Sequence, residues 1–349
     1  RRRPGEQATG DPVFVTELTL IDGGRFFYRG LDAVELSRSK SFEEVAGWLW
    51  TAQWGAGGDW DLPRPAAIRR AMAAIPAAAT AVERFTPAVV ASALGDDLRH
   101  DLSPAGVPVT GRSILSVLAA SLPGASGEQL PGSVSERVWR GLSERRPTAA
   151  GLAALEAALV LAADHELAPS TLAARVAASF RADPYAVVVT GLGPASGSWQ
   201  AGSTGAPTEV ELMLHEAAAA GPERAIGERL RRGGEVPHGF GMPLYPDGDP
   251  RAAALLERLE GVGRVADVDL VRRLIDLGAD RGFPPPNFDL GLGALAYCAG
   301  MPVGSGQAMF TLAKAAGWLA HAIEEYEAPT RFRSRADYVG ARPEPVSAS

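Results

Sequence analysis

Residues 238–253 read HGFGMPLYPDGDPRAA, with three glycines, three prolines, two aspartates and one arginine. Proline fixes φ and glycine lets a main chain approach a ligand closely, so this is a loop of set shape. Met242 stands at its centre and has no hydrogen bond to donate. The flanking sequence therefore has to explain what such a loop is shaped to hold.

The chain has 349 residues, enough for one large or two moderate domains. Its 46% hydrophobic and 21% charged residues are ordinary for a folded globular protein. A net charge of -7 disfavours nucleic acid as a partner of the chain as a whole, and Arg1–Arg3 reads as a solvated run. The single cysteine, Cys298 in LAYCAGM, excludes a disulfide framework and reads as a small core residue. No run of eighteen apolar residues is free of charge and no charged-then-apolar leader is visible, so we expect no membrane span and a cytoplasmic location. The first residue is Arg rather than Met, from which we expect that something upstream was removed or left out.

Helical patterning dominates. The exception is VFVTELTLIDGGRFFYRG (13–30), a β-branched alternating run, an Asp22-Gly23-Gly24 turn and an aromatic run, which predicts one hairpin. Ser41 followed by Glu44 is a capping box ahead of FEEVAGWLWTAQW, whose apolar residues recur at helical spacing. AALEAALVLAA (153–163) is apolar almost all round, as in a helix at the centre of a core. Gly and Pro clusters near 121–126, 191–207, 233–250 and 282–287 separate helices of ordinary length. An all-α fold with a minor β element follows.

The loop GLGPASGSWQAGSTGAP (191–207) lacks the Gly-Lys-Ser/Thr ending of a phosphate loop and follows no clear strand, so it predicts close helix packing. Asp289 lies in PPPNFDLGLGAL, beside the chain's only asparagine, Asn287. A carboxylate on so stiff a segment suits a general base, and a helix N-cap is the structural alternative. Lys314, one of two lysines, sits in GQAMFTLAKAAGWLAHAIEEYE on an apolar face with Phe310, Trp318 and His321. Burying an unpaired ammonium costs several kcal/mol, so Lys314 should meet an anion, either from the protein or from a ligand, unless it snorkels to solvent. Arg251, Arg331, Arg333 and Arg335 offer bidentate carboxylate recognition, and His165 in ADHELAPSTLAAR reads as a helix-end histidine. No metal-ligand spacing and no Gly-x-Ser-x-Gly elbow occurs.

In order, LTLIDGGRFFYRGLDAVEL, DHELAPSTLAARVAAS, ASGSWQAGS, GFGMPLYPDGDPRA, NFDLGLGAL, AKAAGWLAHAIEE and RFRSRADYVG resemble the citrate synthase family over about 14–342. The resemblance implies an α-helical homodimer of two-domain subunits, with a large domain at 1–202 and 301–349 and a small domain at 203–300 closing over the substrates. It also implies a tricarboxylic acid cycle acyltransferase with no bound cofactor and no metal, using acetyl-CoA or another acyl-CoA as co-substrate.

By the same resemblance Asp289 falls on the base that deprotonates the acyl methyl group. His165, Arg251 and Lys314 fall on substrate-carboxylate positions, and Arg333 on the arginine given to the partner subunit. Gly239, Gly241 and Leu244 fall where the loop meets the acyl-CoA. Two catalytic histidines are replaced, the thioester-side one by Gln200 and the ketone-side one by Met242. His238 stands where the family pattern has proline, and four residues of loop oppose its moving into the place of Met242. Pro243 and Pro246 replace basic residues that often help hold CoA phosphates. Two function classes remain. One is an altered or weak acyl-CoA/oxo-acid condensation. The other is a non-catalytic metabolite sensor, with a regulatory domain behind an upstream DNA-binding segment as one form of it.

Overall fold

A computed structural model describes residues 14–55, 58, 60–197, 206–232, 236–330, 332 and 338–340. Among these residues there are fifteen helices and one small sheet. Gln200 and Arg333 lie outside the described residues.

The predicted hairpin forms, with β1 (Thr19–Asp22) antiparallel to β2 (Arg25–Tyr28) and Asp22 opposite Arg25 across Gly23-Gly24. Both glycines have positive φ, as the tight hairpin turn requires. The sheet then gains a strand that the sequence reading omitted. Arg29 and Gly30, also at positive φ, make a second turn, so that β3 (Leu31–Asp32) pairs back on β2. Asp32 ends the sheet and caps α1 (Ala33–Ser39) by accepting from the amides of Val34 and Glu35.

The Ser41–Glu44 capping box is present at the start of α2 (Phe42–Thr51). The expected central helix is α7 (Ala149–Ala162), buried along most of its length. It packs beside α15 (Ser305–Glu327), on which every residue except Glu324 and Glu327 is buried. Around α15 lie α8 (Pro169–Ser179), α9 (Pro184–Ala195) and α5 (Gly106–Ser121). Cys298 is buried as expected, and burial pushes its thiol up to about 12. No described helix is long and apolar enough to cross a membrane.

A second group contains α10 (Ala206–Ala220), α11 (Pro222–Arg231), α12 (Pro250–Leu256), α13 (Val265–Asp280) and α14 (Phe288–Cys298). Within this group α14 packs on α10 and α12. The group is tied to α15 by the buried carboxylate of Glu211, on α10, which accepts from the amides of Gly304 and Gly306 at the α15 N-terminus. Helix N-termini favour such a carboxylate, but its burial outweighs those donors and raises its pKa to about 7.

Gly317 lets α15 press against the end of α7. A Cβ there would come 2.3 Å from the Ala163 carbonyl oxygen and 2.7 Å from Asp164 Oδ1. The first of these is main chain and cannot swing aside. Gly317→Ala is therefore expected to lower stability by about 1–3 kcal/mol, despite alanine's better helix propensity. Urea unfolding of the variant beside wild type measures this directly, and an unchanged midpoint would contradict the close approach.

Candidate active site

Two cavities meet at one carboxylate. The first, about 240 Å³, is lined by His165, Met242, Leu244, Arg251, Asp289 and Lys314, with Phe288 and Phe310 among its apolar walls. The second, about 260 Å³, is lined by His238, Gly239 and Gly241, and shares Asn287 and Asp289 with the first. Residues spread over 150 positions of sequence thus converge, while Leu244 falls in the first cavity and the two loop glycines in the second.

Asp289 is not a helix cap. Asn287 caps α14, its side chain accepting from the Leu290 amide, which leaves Asp289 in the first turn with its carboxylate uncommitted to the main chain. It is 4% exposed. Burial raises its pKa well above the usual carboxylate range, Arg251 opposes this, and Asp249 adds to it. A carboxylate with a raised pKa is a stronger base than one in water.

Arg251 is less free than a ligand fork would be. Its Nε and Nη2 donate to Asp249 at 3.0 and 2.7 Å, and Asp249 also accepts from the amides of Arg251 and Phe288. The guanidinium lies 4.7 Å from the Phe288 ring centre and 5.6 Å from that of Tyr245. The side chain is thereby fixed on one edge, and no protein acceptor is found for Nη1 among the described residues.

Lys314 does meet an anion, and the anion belongs to the protein. Its Nζ lies 3.2 Å from Asp164 Oδ1, so of the two expected sources, protein or ligand, the protein supplies the counter-charge. Asp164 Oδ2 accepts from Thr19 Oγ1 at 2.6 Å and from His321 Nε2 at 3.2 Å. Burial would raise the Asp164 pKa, but Lys314, His321 and Thr19 outweigh it and hold the carboxyl far below its ordinary range. Lys314 has the one carboxylate and lies near Arg251, so burial wins there and lowers its pKa. His321 Nδ1 lies 3.1 Å from Arg175 Nη1. An arginine N–H only donates, so this contact fits the neutral imidazole, although Asp164 and Glu324 overcome burial and raise the His321 pKa.

His165 lies in the connection from α7 to α8, two residues beyond the α7 C-cap, Ala163. The Tyr28 hydroxyl braces this segment by donating to the carbonyls of Val160 and Asp164 and accepting from the Asp164 amide. His165 Nε2 and the Tyr245 hydroxyl are 2.8 Å apart. Burial, then the charges of Arg251 and Lys314, push the His165 pKa well below its usual value, so the ring is neutral. With the tyrosine donating to Nε2, the Nδ1–H is left as a donor.

The sequence reading missed Asp164, Tyr245 and Asp249, and it named His321 only as a neighbour of Lys314 on one helix face. Asp249 carried a signal, an aspartate directly before a proline at a helix start, but its pairing with Arg251 did not show in spacing. Among the described residues no group of histidine, cysteine and carboxylate side chains is placed to hold a metal ion.

Residues 7–335 match the family model described as citrate synthase, C-terminal domain. The chain is 27% identical to citrate synthase from Haloferax volcanii over 95% of its own length and 94% of that protein. The fold matches the crystal structure of citrate synthase from Thermotoga maritima with a TM-score of 0.75 and 25% identity, covering 97% of this chain and 96% of that one. It also matches citrate synthase from Thermoplasma acidophilum, in its ternary complex with carboxymethyl coenzyme A and oxaloacetate. That TM-score is 0.75 with 23% identity, over 96% and 95% of the two chains.

The raised Asp289 pKa has a thermodynamic sign. A carboxyl that ionises at higher pH folded than unfolded contributes stability that is full below its unfolded value, about 3.9, and is lost as pH rises through the folded value. Asp289→Asn escapes that loss. Its melting temperature is expected to exceed wild type by a margin that grows as pH rises above about 4. Paired melting curves across acid to neutral pH test this, and superimposable curves at every pH would refute the buried-carboxyl assignment.

Proposed function

The chain belongs to the citrate synthase family, and from that premise we propose that its first cavity binds a 2-oxo dicarboxylate for condensation with an acyl-CoA. One observation carries the proposal: His165, Arg251, Lys314 and Asp289 line a single cavity. Arg251 and Lys314 supply positive charge for carboxylates, and neutral His165 supplies a directional donor. Asp289 takes a proton from the carbon next to the thioester, the resulting enol carbon attacks the ketone, and hydrolysis of the thioester releases the free thiol. The small domain, 203–300, closes over the large one, and Arg333 of a second copy completes the carboxylate site in a homodimer. We place this protein in the cytoplasm.

The ketone side is where the chemistry weakens. Met242 lines the cavity where negative charge develops on the ketone oxygen, and a thioether cannot donate to it. Gln200 keeps a neutral amide donor for the thioester oxygen but is no proton shuttle. Loss of one oxyanion donor lowers rates by about 10²–10³, so citrate formation is altered or slow here. Met242 also favours a second reading, a pocket kept for sensing a carboxylate after its electrophile was lost. Binding without any turnover of acyl-CoA would select that reading.

Two measurements test the site. Calorimetry with oxaloacetate or citrate is expected to show binding that Arg251→Ala weakens by about tenfold or more, the loss of a charged hydrogen bond. No binding of any di- or tricarboxylate at millimolar concentration would end the proposal. Thiol release from acetyl-CoA with oxaloacetate is expected to be slow in wild type. It should rise by about 10² or more in the Gln200→His, Met242→His double variant. Rapid citrate formation by the wild type would show that Met242 is no handicap.

A further inference from the structure

The loop that carries His238 is fastened to the segment that carries Asp289. The Asn287 amide donates to the Gly239 carbonyl at 2.9 Å, and the Gly241 amide donates to the Pro285 carbonyl at 2.8 Å. Asn287 Nδ2 donates to the Gly241 carbonyl at 2.9 Å, and Phe240 pairs antiparallel with Pro286. Gly239 turns the loop at φ +97°, where a Cβ would lie 2.8 Å from Val210 Cγ2, so the turn is seated against α10. Asp289 follows the last of these anchors by two residues. The exposed His238 and the buried Asp289 therefore sit on one cavity by construction.

Asp289 lines both cavities, whereas Arg251, Lys314 and Met242 line the first and not this one. Among the described residues that line it, His238 and Asp289 are the only titratable groups, and Ala206, Val236, Phe240 and Pro243 make its walls apolar. His238 lines this cavity and not the one that holds Met242, so it does not replace the missing ketone-side donor. An imidazole and a carboxylate facing one apolar space form a donor and a base for a carbon acid.

We propose that His238 is a catalytic residue on the acyl side, donating a hydrogen bond to the thioester oxygen while Asp289 removes the adjacent proton. This rests on the function proposed above. The C–H bond breaks and its proton passes to the Asp289 carboxylate. The electron pair forms the C=C bond, and the thioester C=O becomes an enolate oxygen that the His238 N–H holds. Every protonation state of imidazole except the anion keeps at least one N–H, so the donor is present in either tautomer.

The test is deuterium uptake from D₂O into the methyl group of acetyl-CoA, with malate, which has no ketone to attack, in the first cavity. Wild type is expected to exchange, and Asp289→Asn to lose exchange. His238→Ala should slow it by about 10²-fold, with His238→Asn, which keeps an N–H donor, lying between. Added imidazole should restore exchange in His238→Ala, which a purely structural role would not allow. His238 is exposed, so its replacement should leave the melting temperature and the calorimetric binding of oxaloacetate unchanged. Wild-type exchange rates in His238→Ala, a loss that imidazole does not restore, or no exchange in wild type would each overturn the proposal. Loss of oxaloacetate binding by wild type would instead count against the proposed function.

Discussion

The buried carboxylate of Asp164 is the point on which the site is hung. It lies at the end of α7, faces α15 across the close approach at Gly317, and accepts from Lys314, His321 and Thr19. Those donors come from α15 and β1, so this one group joins the last described helix to the first described strand. Removing one member of such a pair strands the other charge in the core, typically at about 3–5 kcal/mol. The network runs on through Arg175 to Glu324 and Glu325, which keeps the far side of His321 satisfied as well.

The same device recurs at Asp249. It caps α12, grips Arg251 by two bonds and receives the first amide of α14, so a single side chain sets Arg251, the helix start and the first turn that carries Asp289 relative to one another. Both cations of the cavity are therefore held by internal carboxylates before any ligand arrives. Binding then requires little ordering of long side chains, which otherwise costs about 0.5–1.5 kcal/mol each. Holding them this way also reduces the net positive charge of the cavity, and among the described residues it leaves the Nη1 edge of Arg251 without a protein acceptor.

Asp289 owes its character to where α14 begins. Because Asn287 takes the capping role, the carboxylate two residues later is spared that bond and is enclosed between two cavities. Water that would stabilise its charge is largely excluded, and the neighbouring Arg251 compensates only in part. Met242, Phe288 and Phe310 line one of these cavities, and Gly239 and Gly241 of the clamped loop line the other.

Local chemistry made much of the fold legible. The Asp22-Gly23-Gly24 turn, the Ser41–Glu44 box and the all-round apolar run of α7 each act through near neighbours, and each formed as read. The third strand escaped because Arg29-Gly30 forms its turn with only one glycine, and a two-residue strand leaves no alternation to detect. The sequence also determined which residue types were available to the site: an aspartate in a stiff segment, a buried lysine needing an anion, and a methionine without a donor. Tertiary structure decided what each one faces. Whether Asp289 or Asn287 capped α14 turned on two residues of register, and the anion of Lys314 came from a carboxylate 150 positions away. Periodicity carries no information about partners that distant. The reason is physical: hydrogen bonds and ion pairs depend on separations of a few ångströms in space, and only the packing of α7, α14 and α15 sets those.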